Sequence, residues 1–192
     1  MEYDLVSDKG KFCSLFICAA CLHYGDEYQP DCAEAFVNRF GIHNYPTALQ
    51  DFRVSIPNYS PTAYTAELFK AVLDEQESYY PPVTGISFTS SLKGSTITVD
   101  VKIYAKKADD YRVTVLLLED GVKGTQAGAD GSYEHNNMIR LALSSPSGNN
   151  AQIDSDGSIW SKNFSGTVPY GCDESNLSVL VYVERPFGSQ WQ

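Results

Sequence analysis

At Tyr79-Tyr80-Pro81-Pro82 the chain changes its hydrophobic period. Upstream, apolar residues form one near-continuous run and several helically spaced groups. Downstream they alternate at every second position. A proline lacks the backbone N–H and fixes φ, so two in succession do not sit inside a helix or a central strand, and the change of period falls on a boundary. The segment that follows, GISFTSSLKGSTITVDVKIYAKKADDYRVTVLLLEDG, predicts three strands. They are Gly85–Ser90, Ser95–Ala105 and Tyr111–Glu119, with turns at Leu92-Lys93-Gly94 and Lys107–Asp110. Ile97, Val99, Val101 and Ile103 alternate with Thr98, Asp100, Lys102 and Tyr104, the pattern of an antiparallel strand with one buried face. Asn176–Glu184 predicts a late strand and Gly157–Gly166 another, while Tyr133–Ser144 reads as irregular. Residues 81–192 therefore read as an antiparallel β-sandwich.

Residues 1–80 read as mixed α/β. Phe12–Leu22 is a near-continuous apolar run, as in a strand covered on both faces. A loop, HYGDEYQPD, precedes a short helix over Cys32–Phe40, with Asp31 as N-cap and Gly41 ending it. Ala48–Ile56 reads as one strand, VSIPNYSPT as a turn and Ala63–Tyr79 as the clearest helix. In that helix Leu68, Val72, Leu73 and Gln76 share a side, and Thr62 or Thr65 caps it. The stretch FGIHNYPTALQDFR, Phe40–Arg53, resembles the way a thioredoxin-like domain sets a proline-led strand opposite its redox cysteines. The whole chain thus reads as α+β, a truncated thioredoxin-like module followed by a β-sandwich.

The composition narrows the function classes. With 43% hydrophobic residues, 192 residues suffice for a true core. The net charge of -10, from 24 acidic and 14 basic residues without a Lys/Arg stripe, argues against a nucleic-acid partner. No apolar run approaches the ~18 residues of a membrane-spanning helix, and Phe16–Leu22, the longest, has strand length. The start MEYDLVSDKGK lacks the basic and apolar stretches of a signal peptide, as a mature exported chain would too. Thirteen tyrosines and a Ser/Thr/Asn-rich second half suit an extracytoplasmic β-rich protein.

Chemistry-bearing residues are few. Cys13, Cys18, Cys21, Cys32 and Cys172 make an odd set, four of them crowded near the start, and read chiefly as buried thiols. Cys18-Ala19-Ala20-Cys21 is a CxxC, but it lies in a strand rather than at a helix N-terminus, where the macrodipole would activate a thiolate. In a strand, residues three apart point to opposite faces. The 25 residues from Cys21 to Pro46 are also too few for the helix, strand and second helix of a redox thioredoxin. A thiol–disulfide oxidoreductase using Cys18 and Cys21 is therefore the alternative to a noncatalytic protein. Tyr45-Pro46-Thr47 is a candidate cis turn and docking edge. His23 and Asp26 follow the first strand where ligand loops occur, but with Cys32 and His43 they lack a zinc spacing, and neither metal nor cofactor is expected. Asp154-Ser155-Asp156-Gly157 reads as a turn rather than a calcium loop, and no GxSxG elbow supports a serine hydrolase. The polar residues Glu119, Asp120, Gln126, His135, Asn136 and Arg140 beside apolar anchors form a binding candidate; otherwise His135, Asn136 and Arg140 tie a loop to the strand end.

EDGVKGTQAG, GSYEHNNMIRLAL and NLSVLVYVER together resemble the C-terminal region of the Omp28-related outer membrane proteins of Bacteroidetes. HYGD and FGIHNYPTALQDFR are similar to the thioredoxin-like part of the same family. The resemblance runs from about Phe16 to Glu184. It implies an exported protein at the outer membrane or cell surface, held by a lipid anchor outside this chain and lacking the family's upstream cysteine-motif segment. It carries over no catalytic residues. The partners expected are a protein or cell-surface ligand, and a second copy joined at the sheet edge left by the missing first strand.

Overall fold

A computed structural model describes residues 16–18, 30–43, 48–50, 54–56, 67, 71, 74, 75, 78, 79, 81–125, 131–188 and 190–191. Its centre is the strand β6, Asp109–Glu119, and the reason lies in its sequence. Tyr111, Val113, Val115 and Leu117 are buried on one face; Thr114, Leu116 and Leu118 are buried on the other. A strand apolar on both faces must be covered twice. One cover is a second sheet; the other is a helix.

The sheet of β6 contains β10 (Asn149–Ile153) and β12 (Leu177–Glu184) on its two sides, with β9 (Met138–Ala142) also paired to β6. Since β12 runs along one side of β6, β10 and β9 share the other, beside Asp109–Val113 and Leu116–Glu119 respectively. Opposite lies a sheet of three ten-residue strands in the order β11 (Ser158–Thr167), β5 (Thr96–Ala105), β4 (Thr84–Lys93). All of these pairings are antiparallel. Ile97, Val99, Val101 and Ile103 meet Tyr111, Val113, Val115 and Leu117 of β6, with Val179 and Val181, in one cluster, as their alternation foretold. The Asp154–Gly157 turn joins β10 to β11, and its Asp156 Oδ1 accepts the Ala108 N–H at 2.7 Å.

The outer face of β6 is covered by α1, Ala33–Phe40. Phe36 packs on Leu116, Leu118 and Tyr182, with Phe40 and Cys32 at the margins. At the end of α1 Gly41 takes φ 61°, a left-handed closure that glycine adopts without a Cβ clash, and its N–H returns to the last turn. At the other end the expected cap is displaced: Cys32, not Asp31, occupies the N-cap, without a side-chain cap bond. Arg39 reaches from α1 to the sheet. Its Nη2 lies 2.8 and 2.6 Å from the two carboxylate oxygens of Glu184, and Nη1 donates to the Pro146 carbonyl at 2.7 Å. The loop offering Pro146 turns at Gly148, φ 77°, where a Cβ would stand 2.8 Å from that of Arg112.

Two further expectations change. The single strand Ala48–Ile56 is two short strands, β2 (Ala48–Gln50) and β3 (Val54–Ile56), paired as a hairpin. A run of alternating residues does not reveal the break between Gln50 and Val54. Phe16–Cys18, β1, pairs antiparallel with β2. The stretch read as irregular contains β8 (Tyr133–His135), paired with β7 (Val122–Gly124), and then β9. A register shift between Leu117 and Leu118 leaves Arg140 without an opposite residue, and this bulge breaks the alternation. The expected helix Ala63–Tyr79 is helical at Glu67, Ala71, Asp74, Glu75, Ser78 and Tyr79; its other positions lie outside the described residues. Two two-residue strands, β13 (Pro186–Phe187) and β14 (Gln190–Trp191), pair antiparallel at the end of the described chain, where the Arg112 guanidinium lies 3.7 Å from the Trp191 ring centre. The fold is thus β-rich and mostly antiparallel, with one described helix packed on a sheet.

Tyr182 carries a pH consequence of this packing. Burial pushes its phenol well above the ordinary tyrosine value, with Thr114 pulling it down and Glu184 pushing it further up. A phenol raised in the folded state favours folding below its unfolded pKa of about 10, and that contribution is lost as pH climbs through the folded value. Tyr182→Phe is therefore expected to lessen the fall in stability above about pH 10. Urea midpoints of both proteins across this range check it; parallel alkaline slopes would contradict it.

Candidate functional site

Where β6 stops, three connections converge. Asp120-Gly121 leaves β6, Asn136-Asn137 joins β8 to β9, and residues 168–176 lead from β11 into β12. The first two are stapled reciprocally. The Asn136 Oδ1 accepts the Gly121 N–H at 2.8 Å, and the Asp120 Oδ1 accepts the Asn137 N–H at 2.6 Å. Each turn contains a left-handed residue, Gly121 at φ 72° and Asn137 at 55°. Asparagine is among the few side chains that tolerate this region, because its short amide bonds locally. The third connection is tied on by the Asp120 N–H, which donates to the Asn176 carbonyl at 3.1 Å.

Beneath the loops lies Glu119, 4% exposed. Its Oε1 accepts the Asp173 N–H at 2.7 Å, and its Oε2 faces the Arg140 guanidinium at 3.1 Å. The bulge at Arg140 is what carries that side chain to the strand end. The Cys172 thiol stands within hydrogen-bonding reach of both Glu119 and Arg140. Burial pushes this thiol up first of all; Arg140 opposes the shift and Glu119 reinforces it. Asp173 caps the one-turn helix Glu174–Asn176, and hydrogen bonds from the Ser175 hydroxyl and N–H hold its carboxyl below the usual range.

Over this polar base the loops expose aromatic rings. Tyr170 is fully exposed and Tyr133 is 47% exposed, its ring 4.8 Å from that of His135 in an edge contact. The His135 Nε2 is buried without a hydrogen-bond partner. No group of three His, Cys, Asp or Glu suited to a metal occurs among the described residues.

The structure thus gathers Glu119, Asp120, His135, Asn136 and Arg140 at one end of a sheet. Gln126, His23, Asp26, Tyr45, Pro46, Thr47 and Cys21 lie outside the described residues. Cys18 ends β1, a strand position rather than a helix N-terminus. His43 is exposed just past α1, and Cys32 is half-buried at its start, the thiol pushed up by burial. Cys172, Asp173 and Asn176, absent from the sequence-based set, complete the cluster, and Tyr133 and Tyr170 rise above it. Asp173-Glu174-Ser175 is a local capping pattern that sequence could have revealed. The exposed Tyr170 lies between Pro169 and Gly171, with no signal in the sequence reading.

The model of the family described as outer membrane protein Omp28 matches residues 33–188, from the start of α1 to beyond β13. Among solved structures, HBP35 of Porphyromonas gingivalis is similar, with a TM-score of 0.69 and 17% sequence identity. The alignment covers 86% of this chain and 56% of that one. The chain therefore spans a little over half of that neighbour's length, and at this identity the likeness concerns the fold alone. No curated protein matches the sequence. Since the family match takes in most of the chain, from the helix through the polar cluster to the last strands, the chain belongs to the Omp28 family of outer membrane proteins and is a protein of the cell envelope.

Proposed function

We propose that the chain is a noncatalytic binding protein of the envelope, in which a thioredoxin-like module, residues 1–80, is carried on a β-sandwich, residues 81–192. In this reading the protein is exported and held at the outer membrane or cell surface by a lipid anchor outside this chain, and it takes a protein or cell-surface ligand. Support for the module comes from the order β1, α1, β2, β3 with the proline-led segment before β2. Support for the sandwich comes from the single core shared by the two sheets.

One observation carries the binding role. At the loop end Glu119, Asp120, Asn136 and Asp173 are spent on bonds within the cluster, whereas Tyr133 and Tyr170 are left exposed. Rigid aromatic rings on pinned loops offer contact area at low entropic cost. By contrast, Glu119 is already engaged by a backbone N–H and a guanidinium, and the Cys32 and Cys172 thiols are pushed away from ionisation. A reactive site needs the opposite tuning.

Two assays test the reading. In insulin reduction, the wild type and the Cys18→Ser and Cys21→Ser variants are expected to match the uncatalysed rate. Turnover that disappears with either cysteine would establish the oxidoreductase instead. Binding of fluorescent protein to isolated outer membranes of its own bacterium is expected to weaken about tenfold in Tyr133→Ser/Tyr170→Ser. Exposed substitutions of this kind shift stability by only ~0.5 kcal/mol, so unchanged binding would remove the loop end as the site.

A further inference from the structure

Two glycines lie within the strands of the β11-β5-β4 sheet, and the chain's own packing explains only one. At Gly166, on β11, a Cβ would stand 2.7 Å from the Leu143 Cδ2 and 3.0 Å from that of Leu141, so two leucines exclude a side chain. At Gly85, on β4, no atom among the described residues lies within 4 Å of the place a Cβ would take. Its φ is outside the left-handed region and its register with Tyr104 is unbroken, so neither a turn nor a bulge calls for it. The ladder continues beyond it, since the Lys106 N–H donates to the Val83 carbonyl at 2.8 Å. A glycine inside a strand weakens it, and one without a reason in the fold marks a place where something from outside approaches the backbone closely. The surroundings are amphipathic. Tyr104, 46% exposed, stands beside Gly85 on the outer face, and Ile159, 68% exposed, beside Tyr104. An exposed aromatic ring can itself cover a strand glycine, but the open space over Gly85 shows that Tyr104 does not. The next row of this face carries Ser161, Lys102 and Ser87, and the row after it Asn163 and Asp100. The Asn163 amide donates to the Asp100 Oδ1 at 2.8 Å, which orients it and leaves its other N–H and its carbonyl oxygen to solvent.

We propose that this face binds an uncharged glycan, with one sugar ring laid on the Gly85 backbone against Tyr104 and Ile159, and the hydroxyls of the following units bonded by Lys102 and Asn163. Charge and shape select the occupant. Asp100 and Lys102 cancel on the face of a chain whose net charge is -10, so an acidic polymer is repelled by the molecule as a whole and meets no basic patch here to offset it. An apolar step followed by an ammonium, hydroxyls and an oriented amide matches a pyranose chain, which presents C–H faces and hydroxyl rims. Positions four apart on a strand stand about 13 Å from each other, so the step at Tyr104 and the amide at Asn163 suit an oligosaccharide rather than a single ring. The site lies at the opposite end of β11 from the connection 168–176, and it stands or falls independently of the loop end.

Native-gel electrophoresis through dextran, mannan or β-glucan, together with an array of uncharged oligosaccharides, measures the binding. At least one of these is expected to retain the wild type. Retention by none overturns the proposal, and so does retention by polygalacturonate alone. Gly85→Thr is the decisive variant, because it fills the open space with a residue that strands favour. Its dissociation constant should rise at least tenfold while its urea midpoint stays level or rises. A lowered midpoint would mean that the glycine serves the fold, and unchanged binding would mean that the glycan sits elsewhere; either result overturns the proposal. Tyr104→Ser is likewise expected to weaken binding at least tenfold, and Asn163→Ala severalfold. A peptide library retained by the wild type and released by Gly85→Thr, with no glycan retained, would give the face to a protein partner instead.

Discussion

Replacing Arg39 by alanine is expected to lower the unfolding free energy by about 3–5 kcal/mol, the cost of leaving a buried charge without its partner. Glu184 is 2% exposed on the side of the sheet covered by α1, and Arg39 takes both of its carboxylate oxygens. Without the guanidinium, Arg112 is the other cation acting on Glu184. The loss also releases the Pro146 carbonyl and weakens the seat of α1 on Leu116, Leu118 and Tyr182. The pH profile identifies the cause. Burial already pushes the Glu184 carboxyl above its ordinary value, against the pull of Arg39. An acid raised in the folded state contributes stability below its unfolded pKa, about 4.3, and loses it as pH rises through the folded value. In Arg39→Ala the carboxyl rises further, so the deficit should be greatest near neutrality and shrink toward pH 4–5 as Glu184 takes up a proton. Urea unfolding followed by far-ultraviolet circular dichroism at several pH values measures it. Arg39→Met/Glu184→Leu, which removes both charges, is expected to return close to wild type. A pH-independent loss shared by the single and double variants would show that packing, not charge, is at stake.

That ion pair also marks the limit of what the amino-acid order discloses. The strands β4, β5, β6, β11 and β12 were legible because each follows the two-residue period or an unbroken apolar run between turn residues. Ile97, Val99, Val101 and Ile103 go where alternation sends them. The outer cover of β6 was not legible. Leu116 and Leu118 show that a second face is buried, but nothing local says that a helix more than 70 positions earlier supplies the cover. Arg39 and Glu184 lie 145 positions apart, and each alone resembles an ordinary exposed charge at the end of its element. β9 escaped for a different reason. Its bulge shifts the phase of alternation at Arg140, so a periodicity of two fails at the residue that matters to the site.

The cluster at the end of β6 was half legible for the same physical reason. Asp120, Asn136 and Arg140 announce themselves by polar density, and their turns by Asp-Gly and Asn-Asn. Cys172 and Asp173 join only because β12 lies beside β6, a pairing that depends on tertiary order rather than local sequence. The separation bears on function. A cluster assembled from three distant connections, with its charges internally matched, is suited to holding loops in place for something else to bind.

Glu119→Ala is the substitution that tests this role most severely. It takes from Asp173 the acceptor of its N–H and from Arg140, 13% exposed, a counter-ion at 3.1 Å. The expected loss is about 3–5 kcal/mol, the range for breaking a buried ion pair by removing one partner. Glu119→Gln keeps an oxygen for the Asp173 N–H and should cost less, about 1–3 kcal/mol. Stability alone would not separate a strut from a chemical group, but the Cys172 thiol does. In the wild type it is half-buried against Glu119 and Arg140 and pushed up chiefly by burial, so a disulfide reagent should modify it slowly until urea unfolds the chain. If Glu119 pins residues 168–176, its removal loosens that connection, and Cys172 should react at least tenfold faster in Glu119→Ala under conditions where the protein remains folded. Glu119→Gln should fall between, following the number of bonds retained. Measured in a background where Cys13, Cys18, Cys21 and Cys32 are serine, the rate reports on Cys172 alone. A Glu119→Ala protein that is as stable as wild type, with an unchanged thiol rate, would mean that the loops stand without their carboxylate. Glu119 would then be free to serve another purpose at the end of β6.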